Sequence, residues 1–171
     1  MNISKILSVR NVSVPALAVA AVFAQPALAQ TAGANMATSA EVTENCTVSS
    51  SPIVFGDVDV TTGAAVPGAG GISVVCTNGT EWSASADAGA GADATQELRQ
   101  MSDGAATLDY VLYTEPTRTV IWGDGTDGTE TIDDTGTGTA QATVIYGRIV
   151  ALQNTVVAGS YSDTVAVTVT Y

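Results

Sequence analysis

Residues 159–171 read GSYSDTVAVTVTY, and the alternation in that run has a period of two. Tyr161, Val165, Val167, Val169 and Tyr171 fall on one side of an extended chain, with Ser162, Thr164, Ala166, Thr168 and Thr170 on the other. A helix would scatter the same valines around its circumference, so the run predicts a β-strand with one buried face. A strand this regular usually sits inside a sheet with a partner on each side. This one runs into the last residues of the sequence, where chain ends ordinarily fray.

The remainder is β in the same sense. Gly, Thr, Ser, Ala and Val dominate, turn residues recur at short intervals, and the long charged residues that fill exposed helix faces are few. GISVVCT aligns Ile72, Val74 and Cys76, while EWSASADA sets Trp82, Ala84, Ala86 and Ala88 against Glu81, Ser83, Ser85 and Asp87. TLDYVLYT groups Leu108, Tyr110 and Leu112; RTVIW follows a turn at Pro116, and AQATVIYGRIV leads through Gly159 to the closing run. GAGADATQELRQM is expected to hold one short helical turn. Counted from Val42 there are about six strands, those around Cys46, Cys76, Trp82, Tyr110 and Ile145 and the run Tyr161–Tyr171. An immunoglobulin-type sandwich has about seven. The expected fold is therefore all-β: an incomplete immunoglobulin-like β-sandwich lacking its last strand.

At the other end, Lys5 and Arg10 precede an apolar run from Val14 to Ala24, and Ala27-Leu28-Ala29 offers a small-residue cleavage site. Residues 1–29 read as a secretory signal peptide; the run is well short of the roughly 20 apolar residues a membrane-spanning helix needs. Taking 29 from 171 leaves 142 residues, enough for one domain with a real core. Losing Lys5 and Arg10 takes the formal charge from −12 to −14. Such a surplus of acid argues against nucleic acid or anionic lipid as a partner, since both are bound through surplus Lys and Arg. Cys46 and Cys76 are the two cysteines. In a chain addressed to an oxidising compartment they are expected to pair, stabilising the fold by roughly 3 to 4 kcal/mol in the chain-entropy model.

A second long alternation runs from Ala32 to Val48, broken at Glu44. Its seventeen residues would stretch roughly 55 Å at about 3.3 Å each, against about 17 to 20 Å for an ordinary strand. Either its first part is an unstructured tail or it pairs outside its own domain. An unfinished sandwich leaves one side of its closing strand open, and residues 30–40 are the complementary object. Laid into the groove of the next copy, Ala32, Ala34, Met36, Thr38 and Ala40 would form a donor strand, and Tyr161, Val165, Val167, Val169 and Tyr171 the acceptor strand. The donor side chains are mostly small, giving on the order of 5 kcal/mol. About ten backbone hydrogen bonds at roughly 1 kcal/mol each would matter at least as much. Donor and acceptor are different surfaces, so the contact is head-to-tail and the product a filament.

CTVSSSPIVFGDV, GISVVCTNGTEWSASAD, LRQMSDGAATLDYVLYTEPTRTVIWGDGT and TVIYGRIVALQNTVVAGSYSDTVAVTVTY occur in that order. The ordered set resembles the spore coat protein U family, which includes the major pilins of archaic, Csu-type chaperone-usher pili, over about Met36 to Tyr171. The resemblance implies a six-stranded incomplete immunoglobulin-like pilin domain, residues 41–171, completed by donor-strand exchange from residues 30–40 of a neighbour. It implies a periplasmic chaperone and an outer-membrane usher as partners, export through the periplasm, and an extracellular surface pilus used in adhesion and biofilm formation. Cys46 and Cys76 match the family's disulfide pair. The donor departs from the family in carrying Met36 among alanines, and LRQM replaces a more basic stretch. Family members also serve as spore-coat components or minor pilus subunits.

The sequence contains no His, and its one lysine, Lys5, lies in the predicted leader. A Ser-His-Asp triad, a zinc-protease helix and a Schiff-base mechanism are thereby excluded. The chain reads as neither an enzyme nor a cofactor protein. A rival reading is a monomeric secreted β-sandwich in which Asp124, Asp127, Glu130, Asp133 and Asp134 bind Ca²⁺, or which binds carbohydrate. The EF-hand spacing is absent there, and a solvated hairpin loop accounts for the same acids. Asn78-Gly79-Thr80 reads as a tight turn rather than a glycosylation site, and Trp82 and Trp122 as core rather than a sugar platform.

Overall fold

The computed structural model describes residues 28–171, so nearly all of the predicted signal peptide lies outside the described residues. The chain divides into two units, Met1–Ser39 and Ala40–Tyr171. Residues 28–45 form neither helix nor strand and are exposed.

The second unit is built from ten strands. β1 (Cys46–Val54), β2 (Val66–Cys76), β3 (Glu81–Ala86), β5 (Thr107–Tyr113), β9 (Gln141–Ile149) and β10 (Val167–Thr170) correspond to the runs picked out by alternation. Four short pieces add to them: β4 (Arg99–Ser102), β6 (Ile121–Trp122), β7 (Thr129–Glu130) and β8 (Ile132–Thr135). The larger sheet runs β1-β2-β9-β5-β6-β7, with β4 on β5, and the smaller runs β10-β3-β8. Neighbours are antiparallel except β6 and β7.

The inner faces of both sheets form one core. Ile72, Val74 and Cys76 meet Leu108, Tyr110, Leu112, Ile145 and Ile149 from the larger sheet and Trp82, Ala84 and Ala86 from the smaller. Every residue of the GISVVCT and TLDYVLYT inner sets is buried, because period-two alternation on a half-buried strand leaves no other arrangement. Trp82 and Trp122 are both core, and the Trp122 indole Nε1 donates to the Ala84 carbonyl at 3.1 Å. Cys46 and Cys76 stand opposite each other in β1 and β2 and form a disulfide, their Cα atoms 4.1 Å apart. Asn78-Gly79 makes the turn between β2 and β3, with Gly79 at φ 88° and the Thr80 N–H donating to the Thr77 carbonyl at 3.1 Å.

Two expectations are corrected. GAGADATQELRQM contains no helical turn; turns and bends occupy its first part, and β4 begins at Arg99. The sole helical piece among the described residues is a 3₁₀ turn at Val60–Thr62, capped by Asp59. The closing strand is also shorter than Tyr161–Tyr171. Ser162 pairs with Ser102 at the end of β4, in the larger sheet, whereas Val167–Thr170 pair with β3 in the smaller. The segment crosses between sheets, and one strand cannot keep its ladder in both.

Candidate functional site

β1 is hydrogen-bonded only to β2, and β10 only to β3, among the described residues. Each strand therefore presents one free edge, and between them opens a groove with a cavity of about 380 Å³. Its floor is the core itself: Ile72, Leu112, Trp122 and Ile145. Ile53 and Phe55 form one wall, Val165 and Val167 the other, with Met101 and Tyr110 at the base. A single-domain protein rarely leaves a sheet edge unpaired beside an opening into its core, because both invite association.

The β1 wall owes its position to glycines. Phe55 and Ile53 lie so close over β2 and β9 that a Cβ on Gly68 would sit 2.7 Å from the Phe55 ring, and one on Gly147 also 2.7 Å from it. Beyond a register shift between Ser51 and Val54, the chain bends so that Phe55 meets Tyr110 edge-on, ring centroids 6.1 Å apart.

The opposite wall is tied down by two carboxylates. Asp163 accepts from the Tyr110 hydroxyl at 2.6 Å, from the Ala90 N–H at 2.8 Å and from the Thr164 N–H at 2.7 Å. Asp87 accepts from the Ala166 N–H at 2.9 Å and the Gly89 N–H at 2.9 Å. Burial, then the bond to Asp163, pushes the Tyr110 hydroxyl far above the ordinary phenol range, so it stays a donor. Beneath this wall lies Arg99, with 0% exposure. Its guanidinium donates to the carbonyls of Asp87 at 2.8 Å, Gln96 at 2.8 Å, Trp122 at 2.9 Å and Ala86 at 3.4 Å. Burial lowers its pKa, while Tyr110, Asp87 and Asp163 nearby pull it back up.

The predicted acceptor residues are partly brought together. Val165 and Val167 line the groove, Val169 packs on the core below, and Tyr161 is half-buried at the rim, its hydroxyl donating to the Val157 carbonyl at 2.8 Å. Tyr171 lies beyond β10 and is 54% exposed. Of the predicted donor residues, Ala32, Ala34, Thr38 and Ala40 are exposed and outside any strand, and Met36 is 89% exposed. Arg99, Asp163 and Asp87 were not singled out from sequence. One signal was available for Arg99: in β4 it shares a face with Met101, the inward one.

The acidic run 124–134 forms no shared carboxylate site. Asp124 accepts from Thr126, Asp133 from Thr131, and Asp134 from Thr135 and Gln141. Among the described residues no group of three or more His, Cys, Asp or Glu is placed to hold a metal ion.

The comparisons with known proteins agree with this architecture. The family model "Spore Coat Protein U domain" matches residues 32–168. "Protein U" of Myxococcus xanthus is 34% identical over 161 residues, covering 85% of this chain and 88% of that protein. Among solved structures, the chaperone–tip adhesion subunit pre-assembly complex CsuC–CsuE, from the archaic chaperone-usher Csu pili of Acinetobacter baumannii, matches with a TM-score of 0.57 at 22% identity. That match covers 76% of this chain and 40% of the other and speaks to fold. With the match to the family model spanning most of its length, the chain belongs to the spore coat protein U domain family.

Proposed function

We propose that the chain is a structural subunit of an archaic chaperone-usher pilus, polymerised when residues 30–40 of one copy enter the groove of the next. One observation carries the reading: a groove reaching the core, flanked by two strands with free edges, in a chain whose residues 28–45 are exposed and outside any strand. An added strand would give both edges their missing backbone partners and cover Ile53, Phe55, Val165 and Val167. The fold likeness to a subunit held by its chaperone supports a periplasmic chaperone that fills the groove in transit, followed by an outer-membrane usher. The fibre would then lie outside the cell, serving adhesion and biofilm formation. A second reading, a spore-coat component assembled through the same groove, is favoured by the family description itself.

Gel electrophoresis without boiling tests the shared claim. Purified surface material is expected to run as a ladder of multimers that collapses to monomer on heating. Deleting residues 30–38 should abolish the ladder while leaving a folded chain. A ladder that survives the deletion would refute the proposal.

A further inference from the structure

The surface of the described fold is nearly devoid of positive charge. Of five Lys and Arg in the sequence, Lys5 and Arg10 precede the described residues and Arg99 is buried, which leaves Arg118 and Arg148. These two are neighbours. Tyr113 of β5 and Tyr146 of β9 stand directly opposite each other. The Arg118 guanidinium lies over the Tyr146 ring at 5.6 Å from its centroid, and that of Arg148 over the Tyr113 ring at 5.0 Å. Ile145, Gly147 and Ile149 point to the core, so Tyr146 and Arg148 project from the outer face of the larger sheet, away from the groove.

The pair is built rather than incidental. Arg118 adopts φ 58°, a conformation that non-glycine residues rarely take, at the end of a turn closed by its own N–H on the Glu115 carbonyl at 3.2 Å. The Glu115 carboxylate organises that loop by accepting from the backbone N–H groups of Thr117, Thr119 and Val120. Arg118 donates from Nε to the Gly147 carbonyl and from Nη1 to the Pro116 carbonyl, and Arg148 donates from Nη2 to the Tyr113 hydroxyl. All these acceptors are neutral, and among the described residues neither guanidinium forms an ion pair; both are fixed over aromatic rings.

The same chain carries 17 acidic residues, and five of them, Asp124, Asp127, Glu130, Asp133 and Asp134, are exposed along the short run 124–134. Two copies of so acidic a chain repel wherever acid faces acid. The Arg118–Arg148 patch is where a second copy can approach with charge complementarity. We infer that this patch docks the acidic run 124–134 of another copy, a contact secondary to the strand insertion that makes the fibre. The inference rests on the head-to-tail reading, since tethered neighbours supply the effective concentration at which a small ionic contact forms.

The scarcity of lysine provides the test. Arg118→Lys and Arg148→Lys, made separately, keep the charge and introduce an amine that a carbodiimide can join directly to a carboxylate in contact. Fibres assembled from mixed ¹⁵N-labelled and unlabelled variant chains should yield cross-linked peptides that join position 118 or 148 to residues 124–134 and carry both isotopes. The yield should fall severalfold between about 50 and 500 mM NaCl, as an exposed ionic contact requires. Cross-links confined to one isotope, or directed to other acids, would overturn the inference. So would their absence in fibres whose binding to polygalacturonate is lost in Arg118→Gln/Arg148→Gln, which would make an anionic polymer the occupant. A ladder without these cross-links sinks this contact alone; absence of any ladder sinks the strand-insertion reading.

Discussion

Arg99 is held wholly by backbone carbonyls, and the arrangement shows what a buried cation does in a chain with so few. Its four acceptors come from the end of β3, the loop before β4 and the end of β6, pieces that share no ladder with one another. The guanidinium is the common partner of these four carbonyls and so ties the three pieces together. Arg99→Met keeps much of the apolar volume and abandons all four, so a loss of about 3 kcal/mol or more is expected, read as a lower urea midpoint. Arg99→Lys should recover little, because one ammonium cannot span the fork's acceptors. An unchanged midpoint in both would show that these bonds contribute nothing. Trp82 was legible as core because it alternates with Ala84 and Ala86 on one face, and Trp122 because it closes the apolar run 120–122. Asp163 was not, since its role depends on Tyr110, 53 positions earlier, and on the Ala90 N–H.

At the scale of elements, local pattern found the long strands and misjudged what joins them. β2, β3 and β9 are half-buried, and burial on one face writes itself into the sequence as alternation; β5 alternates as far as Tyr110 and is buried on both faces from there to Tyr113. β6 and β7, two residues each, are too short to carry a period, and β8 carries only Ile132 toward the core. The run Tyr161–Tyr171 alternates throughout, yet Asp163 and Ser162 hold its first half on other partners, so only β10 is a strand. The loop 115–120 is ordered by polar bonds that leave no hydrophobic trace. There Glu115 is held down to a pKa of about 2, first by the Thr117 hydroxyl and then by the Thr119 N–H. A carboxylate depressed in the folded state contributes stability that is complete above the ordinary Glu range and is lost as pH falls toward that folded value. Stability should therefore decline between about pH 4.5 and pH 2, and Glu115→Gln should flatten part of that decline in urea melts. An acid limb of unchanged slope would contradict the role given to Glu115.

For the whole molecule, the two free edges and the opening between them are the property that local pattern approached only by counting strands. Six runs in place of seven suggested something missing; the sheet order leaves β1 and β10 each with a free edge, as it does β7 and β8 at the other ends of the two sheets, but the core is reached between β1 and β10. The large sheet, the disulfide and the Arg99 ties hold the fold around a side that is open between β1 and β10, the side that the proposed strand insertion would close. Cryo-electron microscopy of the assembled fibre measures this directly. The account predicts continuous density for residues 30–40 of one copy lying between β1 and β10 of its neighbour, hydrogen-bonded along both edges. A fibre whose groove is filled by the same copy's own residues, or purified material that is a stable monomer with the groove unfilled, would contradict it.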